Sequence, residues 1–327
     1  MKKFKILSID GGGVRGVIPA RILQAIEEEQ GKPISDIFDM IIGTSTGALI
    51  ALCLASPIPP YKASEIVDIY LKESKNIFKK SIWRMITTGD GLWAPKYDRT
   101  YLDDLLKKTF STNKNGLSHS LLSHAKCKVL IPTYCLCRGE PIVHSSEDAI
   151  KSMVHDFKMW EIAAAATASP VYFKPFWMKH KKGLEWNDKS AWGLEVDGGI
   201  WVNNPESLAV CEFAKLSESK KYESISVLSI GTGKPRYSMN RLALDNPGVI
   251  GWFDNGFIDM MINADMDETA MLSKAIFNNH HRVQFTLEQD YQLDEGDDDT
   301  MKALLKIAEG IIADKGEMDK VREIVNA

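Results

Sequence analysis

Three short stretches of the chain hold residue types at spacings suited to catalysis. Gly43-Thr44-Ser45-Thr46-Gly47 places a serine with a glycine two residues away on either side. This G-x-S-x-G pattern is the sharp strand-to-helix turn that holds a serine hydroxyl in a strained, exposed position for attack on a carbonyl carbon. The helix that follows would aim its positive end at Ser45 Oγ and favour a developing alkoxide. Asp10-Gly11-Gly12-Gly13-Val14-Arg15-Gly16 offers backbone N–H groups, unobstructed by side chains, at the start of a helix. Such a loop binds negative charge, either a carbonyl oxyanion or a phosphate, since Gly11, Gly13 and Gly16 also fit G-x-G-x-x-G. Asp197-Gly198-Gly199 adds a carboxylate beside two more glycines.

A serine nucleophile needs a base. The order Ser…Asp…His would use His280 or His281 after an acid near position 197. The fold that uses this order places several strands before its nucleophile, whereas one strand and one helix precede Ser45. The other reading is a direct Ser45–Asp197 dyad without histidine. An ordinary aspartate, with a pKa near 4, is a weak base for serine. A close hydrogen bond and a pre-organised oxyanion site have to make up the difference.

The hydrophobic pattern puts each motif where a strand ends. Phe4–Ile9 reads as a strand running into the three glycines, and Val17–Gln30 as an amphipathic helix stopped by Gly31 and Pro33. Phe38–Ile42 is a second buried strand, and Ala48–Ala55 an apolar helix ended by prolines. Further helices are expected over 63–74, 101–110, 160–168 and 301–325, and further strands over 128–135, 141–145, 194–196 and 224–230. Strand alternating with helix makes this an α/β chain with a mostly parallel central sheet and helices on both faces. Positions 11–16, 45 and 197 must converge, so no boundary falls between them. Residues 1–285 are expected to form the main domain and 286–327 a C-terminal helical extension packed on it.

Composition narrows the function further. Of 327 residues, 44% are hydrophobic and 26% charged, the balance of a globular protein rather than a disordered one. Forty basic against forty-four acidic residues, a net charge of -4, give no basic footprint for a nucleic-acid polymer. Five cysteines at irregular spacings suit reduced thiols, and the expected location is cytoplasmic with at most peripheral membrane contact. Lys2 and Lys3 are not followed by a signal-peptide core, and Met40–Ala55 is too short and too broken by Gly43–Gly47 to span a bilayer.

Other groupings carry weaker chemistry. Cys127, Cys135, Cys137 and His144 read as buried small side chains rather than a zinc site. The acidic run 290–299 lacks calcium-loop spacing, because Tyr291 stands where an acid is needed, and reads as a solvated connection. Lys75, Lys79, Lys80 and Arg84 with Phe78, Ile82, Trp83 and Met85 are either a solvated helix face or a lid resting on anionic lipid. His180–Gly193 reads as a polar loop or hairpin excursion. Asn203 and Asn204 either brace the Asp197 loop or simply turn the chain. A dinucleotide site would use the glycine loop with Asp36 on the ribose, but it leaves Ser45 and Asp197 unexplained.

The three motifs, intact and in this order, resemble those of the patatin-like phospholipases. That family shows D-G-G-G-x-R-G, G-T-S-T-G and D-G-G, and the likeness extends through Pro95-Lys96-Tyr97-Asp98, AAAATASPVYFKP at 163–175 and DGGIWVNNP at 197–205, over most of residues 4 to about 310. The stretch around Trp252, Ile258, Met260 and Met261 is similar to a later family helix; His180–Gly193 and the C-terminal helix match least. The resemblance implies a patatin-like three-layer α/β/α fold and a lipid acyl hydrolase, of phospholipase A type, without metal or cofactor. It assigns Ser45 as nucleophile, Asp197 as base, Gly11, Gly12 and Gly13 as oxyanion donors and Arg15 as their support. Gly43 and Gly47 belong to the nucleophile turn, Gly198 and Gly199 to the acid loop, and an acyl lipid is the substrate. It leaves the oligomeric state open, as well as a regulated effector or storage role whose hydrolysis needs a partner or nucleotide signal.

Overall fold

The computed structural model describes residues 2–58, 61–79, 87–89, 93–113, 118–178, 193–218, 222–234, 257–289 and 291–327. Their strands are β1 (Lys2–Ile9), β2 (Met40–Gly43), β3 (Lys128–Cys135), β4 (Glu140–Ser145), β5 (Phe176–Trp177), β6 (Leu194–Asp197), β7 (Tyr222–Ile230) and β8 (Asn279–Val283). They form one sheet in the order β5-β6-β3-β2-β1-β7-β8, with β4 also paired to β3. Strands β3, β2, β1, β7 and β8 run parallel, while β4 and β6 meet β3 antiparallel.

Helices cover both faces because side chains alternate along each strand. Leu7, Ile9 and Ile41 enter a large core shared with α1 (Val17–Gln30), α3 (Thr46–Ala55), α4 (Ala63–Ile77), α7 (Met159–Ala166) and α10 (Asp298–Ala313). Phe4, Ile6, Met40 and Ile42 enter a smaller core with Leu208 and Ala209 of α8 (Glu206–Glu218) and with Phe277, which follows α9 (Phe257–Ile276). The remaining α-helices among the described residues are α2 (Ile34–Ile37), α5 (Thr100–Thr109), α6 (Ser146–Lys151) and α11 (Lys315–Val325). This is the three-layer α/β/α arrangement expected from the sequence, with a mostly parallel sheet.

The register of β3 is what brings two distant motifs together. Leu130 pairs with Ile42 of β2 and with Ser145 of β4, so these two strands lie on opposite edges of β3. Thr133 to Cys135 pair with both β4 and β6, so β6 shares the edge of β2. The strands β2 and β6 therefore run toward each other along one edge, β2 pairing through Leu130 and β6 ending with Asp197 opposite Thr133. Gly43 and Asp197, at their two C-terminal ends, meet in the gap.

At the chain's end one expectation needs revision and one strand was not expected. The single helix expected over 301–325 is two helices broken at Asp314, whose carboxylate accepts from the N–H groups of Gly316 and Glu317 and caps α11. Strand β8, Asn279-His280-His281-Arg282-Val283, has no apolar alternation, and only its pairing with β7 reveals it. Both C-terminal helices sit on α1, through Arg21–Glu309 at 2.8 Å and Arg322–Glu29 at 2.7 Å, and Lys5 Nζ donates to the carbonyl of Val325.

Candidate active site

Ser45 joins β2 to α3 with φ 55° and ψ -119°, a conformation that costs a non-glycine residue about 1–3 kcal/mol. The turn closes only because its flanks lack side chains. A methyl on Gly43 would come within 2.1 Å of the Gly47 carbonyl oxygen, and one on Gly47 within 2.3 Å of that of Ile9. The Ser45 carbonyl accepts from Ala48 and Leu49, so α3 starts directly behind the hydroxyl. Thr46 Oγ1 is bonded to the Tyr70 hydroxyl of α4, which ties the turn to its neighbour.

The Asp197 carboxyl accepts from the N–H of Gly199 at 2.8 Å, and the Ser45 hydroxyl stands beside it. Asp197 is buried, and burial lifts its pKa to about 6 against the pull of these two neighbours. The ordinary aspartate that made the dyad doubtful as chemistry is thus not the aspartate present. Its environment holds the carboxylate basic while leaving it ionised at neutral pH.

The glycine loop lies alongside, and one of its expected donors is committed elsewhere. The Gly11 N–H donates to the Asn203 carbonyl at 3.0 Å and that of Val14 to the Leu293 carbonyl at 3.0 Å. The N–H groups of Gly12 and Gly13 make no bond among the described residues, so these two donors, unlike that of Gly11, are left for a ligand. Gly13 takes φ 56°, the left-handed conformation that a side chain would oppose. Arg15 supports the loop from below: its N–H, at 3.1 Å, and its Nε, at 3.4 Å, both point to the Gly12 carbonyl.

Ser45, Asp197 and Gly11 to Gly13 open into one cavity of about 580 Å³. Its walls are mainly apolar, with Leu49, Ile66, Ile69, Phe78, Leu106 and Phe110 among them. The acidic run is solvated as expected at Glu295, Asp297, Asp298 and Asp299, but Asp294 is part of this construction. Asp294 is buried, with Tyr97 Oη and Lys96 Nζ each 2.6 Å from its carboxylate, and Leu293 is pressed onto Gly13. The sequence concealed this because Tyr97 lies 197 residues from Asp294.

Behind the loop is a network that motif reasoning missed. Asp10, fully buried, receives both guanidinium nitrogens of Arg282, which also bonds Glu206; His280 Nε2 lies 2.7 Å from Glu206. Burial tends to raise Glu206, but the bonds from His280 and Arg282 prevail and hold it down to about 2. His280 and His281 are thus engaged by Glu206 and Glu317, not by Ser45. The dinucleotide alternative fails on topology. Asp36 precedes β2, whose Met40 pairs with Ile6, so it sits at the end of the sheet opposite the glycine loop.

Among the described residues no three metal-ligating side chains cluster, and His144 is bonded to buried Glu195 at 2.9 Å. No described helix is long and apolar enough to cross a membrane. Of the basic segment, Lys75 faces Asp298 at 3.7 Å and Phe78 packs on Tyr97, while residues 80–86 lie outside the described residues. So do Trp252 and the excursion at 180–192.

A strained serine and a buried aspartate at the C-terminal edge of an α/β sheet, beside a glycine loop and above an apolar cavity, define a class of lipid-hydrolase scaffold. The family model "Patatin-like phospholipase" matches residues 7–210, and the chain belongs to that family of lipid acyl hydrolases. Patatin-like protein 2 of Oryza sativa subsp. indica is 28% identical over 352 residues, covering 95% of this chain and 84% of its own. Patatin-like protein 2 of Arabidopsis thaliana is 32% identical over 305 residues, covering 84% and 72%. Patatin group D-2 of Solanum tuberosum is 31% identical over 249 residues, covering 70% and 60%.

Proposed function

We propose that this protein cleaves acyl esters of membrane glycerolipids, as a phospholipase A-type hydrolase, through a Ser45–Asp197 dyad and an acyl-enzyme. The observation that carries the reading is the strained Ser45 beside buried Asp197 at the head of a cavity of about 580 Å³ with mainly apolar walls. Asp197 takes the Ser45 proton as Oγ attacks the ester carbonyl, and the N–H groups of Gly12 and Gly13 receive the oxyanion. Losing one such donor costs about 10²–10³ in rate. Asp197 returns the proton to the leaving alcohol, and a water activated by the same carboxylate then releases the fatty acid. The apolar walls take the acyl chain and leave the head group at the mouth, where Val171 and Ile200 are half exposed; peripheral contact with a membrane surface fits that rim.

Residues 286–327 belong to the same functional unit in this reading, since the Leu293 carbonyl holds the glycine loop at Val14 and Asp294 is tied to Tyr97 and Lys96. Labelling with a fluorophosphonate followed by peptide mapping tests the proposal. The expected result is one adduct on Ser45, absent from Ser45→Ala, together with fatty acid released from phospholipid vesicles by the unmodified protein. A folded protein that neither labels nor releases fatty acid would overturn it.

A further inference from the structure

Asn203 lines the cavity with Ser45, Asp197 and Gly11 and is buried, 8% exposed. Its backbone is committed twice, accepting from Gly11 and donating to Asp265 of α9 at 3.1 Å. Its side-chain nitrogen donates to Met266 Sδ at 3.1 Å, which turns the amide oxygen away from α9. That oxygen accepts no hydrogen bond among the described residues. Its location is bracketed by two glycines. A methyl on Gly11 would come within 2.2 Å of Asn203 Oδ1 and 3.3 Å of Ser45 Cβ; one on Gly199 would come within 3.2 Å of Oδ1 and 3.3 Å of Asp197 Oδ1. A free acceptor therefore stands one small group away from both nucleophile and base, and both motif glycines make room for it.

We infer that Asn203 Oδ1 is the second acceptor for the water of deacylation, orienting it with Asp197. This rests on the acyl-enzyme reading above. A water attacking the Ser45 ester must present a lone pair to the carbonyl carbon, so both its hydrogens need acceptors pointing elsewhere. One goes to the Asp197 carboxylate and the other to Asn203 Oδ1. The water oxygen bonds the acyl carbon as Asp197 takes the first proton. The tetrahedral species then expels Ser45 Oγ, which recovers that proton, and the product is a carboxylic acid. Acylation needs no water and makes no use of this acceptor.

The test is rapid-mixing hydrolysis of a p-nitrophenyl ester with intact-mass analysis. In Asn203→Leu, about one p-nitrophenol per site should appear in a burst, followed by turnover slowed about tenfold or more. An acyl adduct on Ser45 should accumulate, while fluorophosphonate labels at the unmodified rate. Parallel loss of labelling and turnover without an adduct would mean that the amide acts as an oxyanion donor, and would overturn the inference. So would turnover unchanged from the unmodified protein. Should Asn203→Leu not fold, Asn203→Asp keeps the oxygen and the shape. It keeps an oxygen acceptor at that point in either protonation state, so at about pH 8 it should turn over with no adduct, and an accumulating adduct would overturn the inference. If the unmodified protein itself fails to label at Ser45, it is the hydrolase reading that falls.

Discussion

Asp10 and Asp197 invite comparison because burial treats them alike. Each is fully enclosed at the C-terminal end of the sheet, and burial lifts each to a pKa of about 6. Their partners differ. Both oxygens of Asp10 are taken by Arg282, which pulls against the rise, and Asp10 is not among the residues lining the cavity. Among the described residues Asp197 has only one backbone N–H bonded to it and the Ser45 hydroxyl beside it, and Ser45 lines the apolar cavity. A displaced pKa thus marks burial, not function. What distinguishes the second carboxylate is that its proton acceptor remains available, with a reactive group attached.

The largest effect that could break this comparison is Asp197→Asn. Loss of a general base should lower kcat by about 10²–10⁴, measured on a soluble ester, with the fold retained. Because burial raises Asp197 above its unfolded value, its charge destabilises the folded protein at neutral pH, a penalty that fades as pH falls through 6. The variant should therefore melt at or above the unmodified temperature. Asp10→Asn should do the opposite. It takes one of two described carboxylates from buried Arg282, leaving Glu206 and the Ser229 hydroxyl, and should lower stability by about 3 kcal/mol in denaturant titration while fluorophosphonate still labels Ser45. Exchanged phenotypes would show that the two roles have been assigned backwards.

A pH profile gives a finer cut. The base must be ionised, so kcat/KM should be flat above about pH 6 and fall about tenfold per unit below it. Since Asp10 titrates in the same range, Asp10→Asn is the control: the acid limb should stay in place, and its disappearance would move the titration to Asp10. The smallest effect is at the edge of the site. Tyr97→Phe removes one bond to Asp294 and leaves Lys96 in place, so stability should fall by about 1 kcal/mol, seen as a lower denaturant midpoint at unchanged slope.

The elements nearest these residues were legible in the sequence because their signals are local. The strand ahead of each glycine motif, the apolar helix after Ser45 and the helix from Val17 to Gln30 follow from periodicity and stop residues within one window. What was missed or misread depended on distant partners. Asn279 to Arg282 carry no local strand signal, and only the pairing with β7 and the bonds from Arg282 and His280 to buried Asp10 and Glu206 place them. Asp294 resembles a solvated acid until Tyr97 reaches it. Gly11 belongs to the oxyanion motif by spacing, but its N–H is spent on Asn203.

By itself the sequence determined which groups are available and which conformations they can take. Ser45 between Gly43 and Gly47, the glycines at 11–13 and the Asp197-Gly198-Gly199 turn all follow from steric rules that act over a few residues. Only the tertiary structure decided what those groups are worth as chemistry. It brought β2 and β6 nose to nose along one edge of β3, withdrew Asp197 from water and Gly11 from the oxyanion site, and set a free amide oxygen between Ser45 and Asp197. The reason is that desolvation and hydrogen-bond competition depend on which groups are neighbours in space, and spacing along the chain does not encode that.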